Sequence, residues 1–142
     1  MTDIVTPEAR SRIMRAVPRS STKPEMALRR RLHARGLRYV LGRRDLPGSP
    51  DLVLPRWRTV VFVHGCFWHR HPGCPRATTP KTRVDYWVPK FTRNVVRDRQ
   101  VTEALEGAGW RVAVVWECEL TRKTADATAD RLARWIRCGE RA

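Results

Sequence analysis

The apolar and polar positions of the chain fall into alternating helical and extended periods. Thr22-Lys23-Pro24-Glu25 has capping-box spacing, and Gly36 supplies a stop, so a helix is expected from there to about Arg35. Glu25, Leu28 and Leu32 share one face of it. Leu37 to Leu41 reads as a first strand. Leu52-Val53-Leu54 and Thr59 to Val63 read as a hairpin turned by Pro55-Arg56. That hairpin brings Asp51, at the mouth of its first strand, close to Val61 to His64. After a basic loop over 75–88, Pro89 is expected to begin a helix to about Glu106, with Phe91, Val95, Asp98, Val101 and Leu105 on one face. Trp110 to Trp116 forms a buried strand, and a last helix from Thr124 to about Arg137 packs through Leu132, Trp135 and Ile136. Thr6-Pro7 caps a short basic helix through about Val17, carrying Met14. This order of elements implies an α/β fold with a small mixed sheet and functional residues at the strand ends.

With 142 residues, one domain over 1–142 is expected, with 1–18 as an N-terminal arm. A formal charge of +15, carried almost wholly by arginine, favours a phosphate-rich partner over a membrane surface. The chain has no membrane-length apolar run and no signal-like start, so a cytoplasmic setting with reduced thiols is expected.

The chemistry concentrates after the strand ending at Val63, where residues 64 to 74 hold two cysteines, three histidines and two large aromatics. Cys66, His71 and Cys74, with Cys118 arriving from the next strand end, make a Cys3His set of the closed kind that holds structural zinc. His69 could compete with His71 for that site. A metal clamp of this kind would hold Phe67 and Trp68 outward. Asp98, on an otherwise apolar face, calls for a His or Arg partner. Glu25 serves either as a capping carboxylate or as a metal-directed one, and Asp51 either as a turn residue or as a functional one. Met14 either packs with its arm on the body or acts as a wedge laid along DNA.

Pro50-Asp51, Phe62-Val63-His64-Gly65-Cys66-Phe67-Trp68-His69, Asn94-Val95, Arg97-Asp98 and Trp116-Glu117-Cys118 together resemble the very-short-patch-repair (Vsr) mismatch endonucleases. The resemblance covers essentially the whole chain, from Arg12-Ile13-Met14-Arg15-Ala16 to the final helix. It implies a restriction-endonuclease-like, three-layer fold with a small mixed central sheet and a structural zinc site. It also implies magnesium-dependent nicking of double-stranded DNA, 5′ of the thymine in a T:G mismatch left by deaminated 5-methylcytosine. By the same resemblance, Asp51 and the Val63 carbonyl contact Mg2+, and Glu25 and His64 support it through water. His69 is the base oriented by Asp98, and Cys66, His71, Cys74 and Cys118 hold Zn2+. Phe67, Trp68 and Trp87 form an intercalating wedge, with Met14 opposite. A monomer is expected, with mismatch-repair proteins as candidate partners. The competing readings are a restriction- or homing-type endonuclease on matched DNA and a non-catalytic, zinc-stabilised DNA-binding module. The family differs from ordinary restriction nucleases in having Phe62 and His64 where those carry an acidic residue and lysine.

Overall fold

A computed structural model describes residues 22–41, 43–78 and 80–139. The arm of residues 1–18, with Met14, lies outside the described residues.

Helix α1 spans Lys23–Ala34, and Thr22 Oγ1 accepts from the Glu25 N–H at its start (3.4 Å). Strand β1 (Leu52–Leu54) turns through a short 3-10 segment, Pro55–Trp57, into β2 (Thr59–His64). Helix α2 (Val84–Gly107) then leads to β3 (Arg111–Trp116), and α3 (Ala125–Arg137) follows. The sheet order is β1-β2-β3, with β1 antiparallel and β3 parallel to β2. A parallel partner needs a long crossover, which α2 supplies.

Side-chain alternation along the sheet builds two cores. On one face Leu52, Leu54, Val61, Ala113 and Val115 pack with Leu28 and Leu32 of α1 and Ala129, Leu132, Ala133 and Ile136 of α3. On the other, Val53, Val60 and Phe62 meet Leu105 of α2. The chain is therefore a mixed α/β structure with helices on both faces of a small mixed sheet. Each fully buried leucine here contributes on the order of 2 kcal/mol of burial free energy.

Four expectations change. The segment Leu37 to Leu41 makes only a bridge, Val40 to Val53, and leaves Val40 and Leu41 largely exposed. Helix α2 begins at Val84 and carries Pro89 inside it, because Trp87 and Phe91 pack together one helical turn apart and extend the helix backward. Within α2, Asn94 takes the half-buried place expected of Val95, which is 38% exposed. Trp135 likewise faces outward, beneath the Arg111 guanidinium (3.9 Å to the ring centroid), while Thr128, Ala129 and Ala133 complete the packing of α3.

Candidate active site and metal centre

The sheet places its chemistry at the carboxyl end of β2. The register pairs Leu52 with Val61, so Asp51 lies across from the next stretch of β2, and its Oδ2 accepts the Val63 N–H at 2.7 Å. Glu25 is 3% exposed, and its carboxyl meets that of Asp51. Burial, with Glu25 adding to it, pushes the Asp51 carboxyl up to about 7, although the Val63 N–H works in the opposite direction. Two carboxyl side chains brought together out of water suit a hard divalent cation.

His64 projects to the α2 face, as Phe62 does, and there it meets His69. The two imidazoles stack with centroids 3.8 Å apart and planes 5° from parallel. His69 Nδ1 lies 2.7 Å from Asp98 Oδ2, which gives the α2 carboxylate the histidine partner its position calls for. Burial, reinforced by His69, lowers His64 to about 4, against the pull of Asp98. His64 is therefore neutral at pH 7, and its Nδ1 is buried with no hydrogen-bond partner among the described residues. Glu25, Asp51, Val63, His64, His69 and Asp98 all line one cleft of about 940 Å3, with Arg44 and Arg97 also on its walls. The arrangement offers a carboxylate pair and, beside it, an imidazole whose tautomer is fixed by a carboxylate. Those are the parts of a metal-assisted hydrolytic site.

Next to the cleft, ligand atoms of Cys66, His71, Cys74 and Cys118 all lie within 4.8 Å of one another. Cys118 comes from the 3-10 turn Glu117–Glu119 just past β3, and its Sγ is 3.4 Å from His71 Nδ1. Burial and the neighbouring Cys66 and Cys74 thiols push Cys118 up to about 12, while backbone N–H groups led by that of Arg76 lower Cys74. Thiols in such mutual conflict gain most from a cation, and three sulfurs with one imidazole suit a soft or borderline metal. His69 pairs with Asp98, and His71 is the imidazole that stands within the cysteine cluster. Cys138 is exposed and stands apart.

The aromatic residues do not point freely outward. Phe67 sits edge-on to Trp68 (5.0 Å), Trp87 (5.8 Å) and Phe91 (5.1 Å). Trp87 is only 8% exposed. The rings are packed on one another, because α2 rises earlier than expected and lays Trp87 and Phe91 against Phe67. Four residues that hold this corner carried weaker signals in the sequence. Asn94 Nδ2 donates to the Trp68 carbonyl (3.1 Å), and Glu117 Oε1 accepts the Cys66 N–H (3.0 Å). Arg70 donates to the carbonyls of Phe67, Ala77 and Thr78 and lies over Phe91. Trp116 stacks on His71 at 4.2 Å. Asn94, Trp116 and Glu117 stood in the quoted motifs without a stated role, and Arg70 in none.

Comparison with known proteins agrees with this geometry. Residues 2–76 match the model of the family described as DNA mismatch endonuclease Vsr. The chain is 53% identical to the type II nicking enzyme V.XorIIP of Xanthomonas oryzae pv. oryzae, over 85% of this chain and 88% of that one. It is 42% identical to the type II nicking enzyme V.NmeAIP of Neisseria meningitidis, over 96% of each chain. It is 41% identical to the DNA mismatch endonuclease Vsr of Escherichia coli, over 99% of this chain and 90% of that one. The chain thus belongs to the Vsr DNA mismatch endonuclease family and is an endodeoxyribonuclease.

Proposed function

We propose that the chain nicks double-stranded DNA on the 5′ side of the thymine in a T:G mismatch, by magnesium-dependent hydrolysis on a restriction-endonuclease-like framework pinned by zinc. The observation that carries this reading is the single cleft in which Asp51, His64 and the His69–Asp98 pair stand together, beside a packed cluster of aromatic rings. The names of its relatives, mismatch endonuclease and nicking enzymes, support cutting of one strand.

Asp51 would hold Mg2+ with the Val63 carbonyl, and Glu25 and His64 would accept and orient water around it. When bound, the ion offsets charge on the scissile phosphate and on the leaving oxygen. The remaining work falls to side chains. Asp98 holds His69 as the Nδ1–H tautomer, so Nε2 presents a lone pair that can take a proton from an attacking water. His64 stays neutral against it, so no second positive charge opposes the imidazolium that forms. The Cys66, His71, Cys74 and Cys118 set fits Zn2+ and fixes the loop that carries Phe67, Trp68 and His69.

Mismatch choice follows from stacking. Wedging Phe67, Trp68 and Trp87 beside a base pair costs a few kcal/mol of unstacking per step. A wobble pair starts weaker, so opening it costs less. The charge of +15 supplies affinity that is indifferent to sequence and sensitive to salt. The test is a nicking assay in Mg2+ on matched duplexes that differ only in T:G against T:A, with Asp51→Asn as control. One nick 5′ of the thymine, confined to the T:G duplex and lost in the variant, is expected. Equal cutting of both duplexes would replace this reading with an endonuclease acting on matched DNA. Binding without cutting would leave only a DNA-binding module.

A further inference from the structure

Glu25 is the most deeply buried carboxylate of the cleft, yet it lies on a helix surrounded by arginines. Arg29, one helical turn on, places Nη1 3.2 Å from Glu25 Oε2, and its own side chain is 17% exposed. The same guanidinium lies 5.9 Å from the centre of the Tyr39 ring, and the nearness of the Tyr39 side chain helps raise its pKa. Tyr39 precedes Val40, whose backbone pairs with Val53 in both directions at 2.7 and 3.0 Å. Val53 is two residues beyond Asp51. The clasp therefore ties a helix-borne carboxylate to the sheet edge that carries its partner carboxylate.

An ordinary pair at four-residue spacing on a helix is exposed at both ends and holds nothing else in place. Here both partners are mostly out of water, and a third side chain fixes the guanidinium from the far side. We propose that Arg29, anchored by Tyr39, is a positioning residue that keeps Glu25 turned toward Asp51 and so sets how tightly the cleft takes a divalent cation. This rests on the reading that the Asp51 end of the cleft binds such an ion. Two effects oppose each other when Arg29 is lost. Removing a positive charge favours an incoming cation by simple attraction. Taking the Arg29 contact away from a buried carboxylate lets that carboxylate turn from Asp51 toward water, which removes one of the two groups that face the ion. The second effect dominates, because Glu25 keeps almost no contact with solvent where it stands. Losing a group that orients a metal site's ligands commonly costs ten- to a hundredfold in affinity.

The experiment uses Mn2+ as probe, followed by the electron paramagnetic resonance of the free ion, on zinc-loaded full-length protein without DNA. Arg29→Met is expected to weaken Mn2+ binding by about tenfold or more. Arg29→Lys should recover part of it, and Tyr39→Phe, which keeps the ring and the fold, should show a smaller loss. Circular dichroism confirms folding. Mn2+ affinity within twofold of wild type in Tyr39→Phe and in folded Arg29→Met, or tighter, would overturn the proposal and leave Arg29 a helix-stabilising pair. Wild-type protein that fails to nick T:G duplexes while Mn2+ binding still responds to Arg29 would sink the nicking function and uphold the clasp.

Discussion

The His64 imidazole lies flat on that of His69, 3.8 Å from centroid to centroid, and the far edge of His69 is held by Asp98. Only one ring of such a stack can carry charge at a time, and burial assigns neutrality to His64. His69→Ala should therefore lower the nicking rate by about 10²–10⁴ while leaving affinity for T:G duplex within a few-fold of wild type. Asp98→Asn should slow the reaction too, since the amide no longer selects the Nδ1–H tautomer. Single-turnover rates and gel-shift affinities on the same duplex check both. Wild-type speed in His69→Ala would exclude it as the base.

Without added Mg2+, Asp51 and His64 should make stability depend on pH in opposite senses. Asp51 titrates near 7 when folded against 3.8 unfolded, so its contribution is fully present below pH 3.8 and is lost as pH rises through 7. His64 titrates near 4 when folded against 6.5 unfolded, so its contribution is present above pH 6.5 and is lost as pH falls through 4. Between those limits the two nearly cancel. Asp51→Asn removes one side of the balance, so its stability relative to wild type should rise by about 1.4 kcal/mol per pH unit from pH 4 toward 7. Urea unfolding at a series of pH values measures the difference, and parallel curves would refute the shared burial.

Cys118→Ala should abolish stoichiometric zinc, read by elemental analysis of purified protein, and lower the melting temperature. It removes the member of the cluster that comes from the end of β3, which leaves Cys66, His71 and Cys74 within a single loop. Zinc retained at one equivalent in the variant would assign the fourth ligand elsewhere.

Trp68→Ala should cost more on T:G than on matched duplex, because ring stacking returns roughly 1–3 kcal/mol per base only where a pair opens. Competition binding against both duplexes decides it. Equal losses on the two would remove Trp68 from the wedge.

Gly48→Ala should destabilise the protein by about 1–3 kcal/mol. The backbone there is left-handed (φ +73°), and a Cβ would stand 2.5 Å from Val101 Cγ1. Adding Val101→Ala should restore part of the loss, the part owed to the clash, and leave the backbone part. Urea melts of the single and double variants separate the two.

The continuous apolar run Val60 to Val63 with a proline turn before it made β2, the hairpin and the place of Asp51 readable, since a strand buried on both faces leaves few alternatives. Cysteine spacing pointed to the cluster but left His69 and His71 as rivals, and the structure brings His71 to the three thiols. The start of α2 was hidden, because Pro89 looks like a helix opening. The contacts of Trp87 and Phe91 with each other and with Phe67, twenty residues back along the chain, hold Val84 to Val88 helical. The same packing sets Phe67 edge-on to Trp87 and Phe91. The exchange of Asn94 for Val95 on the buried stripe was a matter of one residue, below what periodicity resolves. The Arg29–Tyr39 clasp spans two elements whose adjacency no local pattern displays.

Because β2 and β3 run side by side in one direction, everything reactive leaves the sheet at their shared exit. The opposite end is tied off by Arg111, at the start of β3, which donates to the carbonyls of Trp135 and Ile136 near the end of α3. Cys138, exposed just beyond, therefore provides a thiol handle on the blunt end of the molecule. A dye or surface tether attached there leaves the cleft facing the solution, open to a passing duplex.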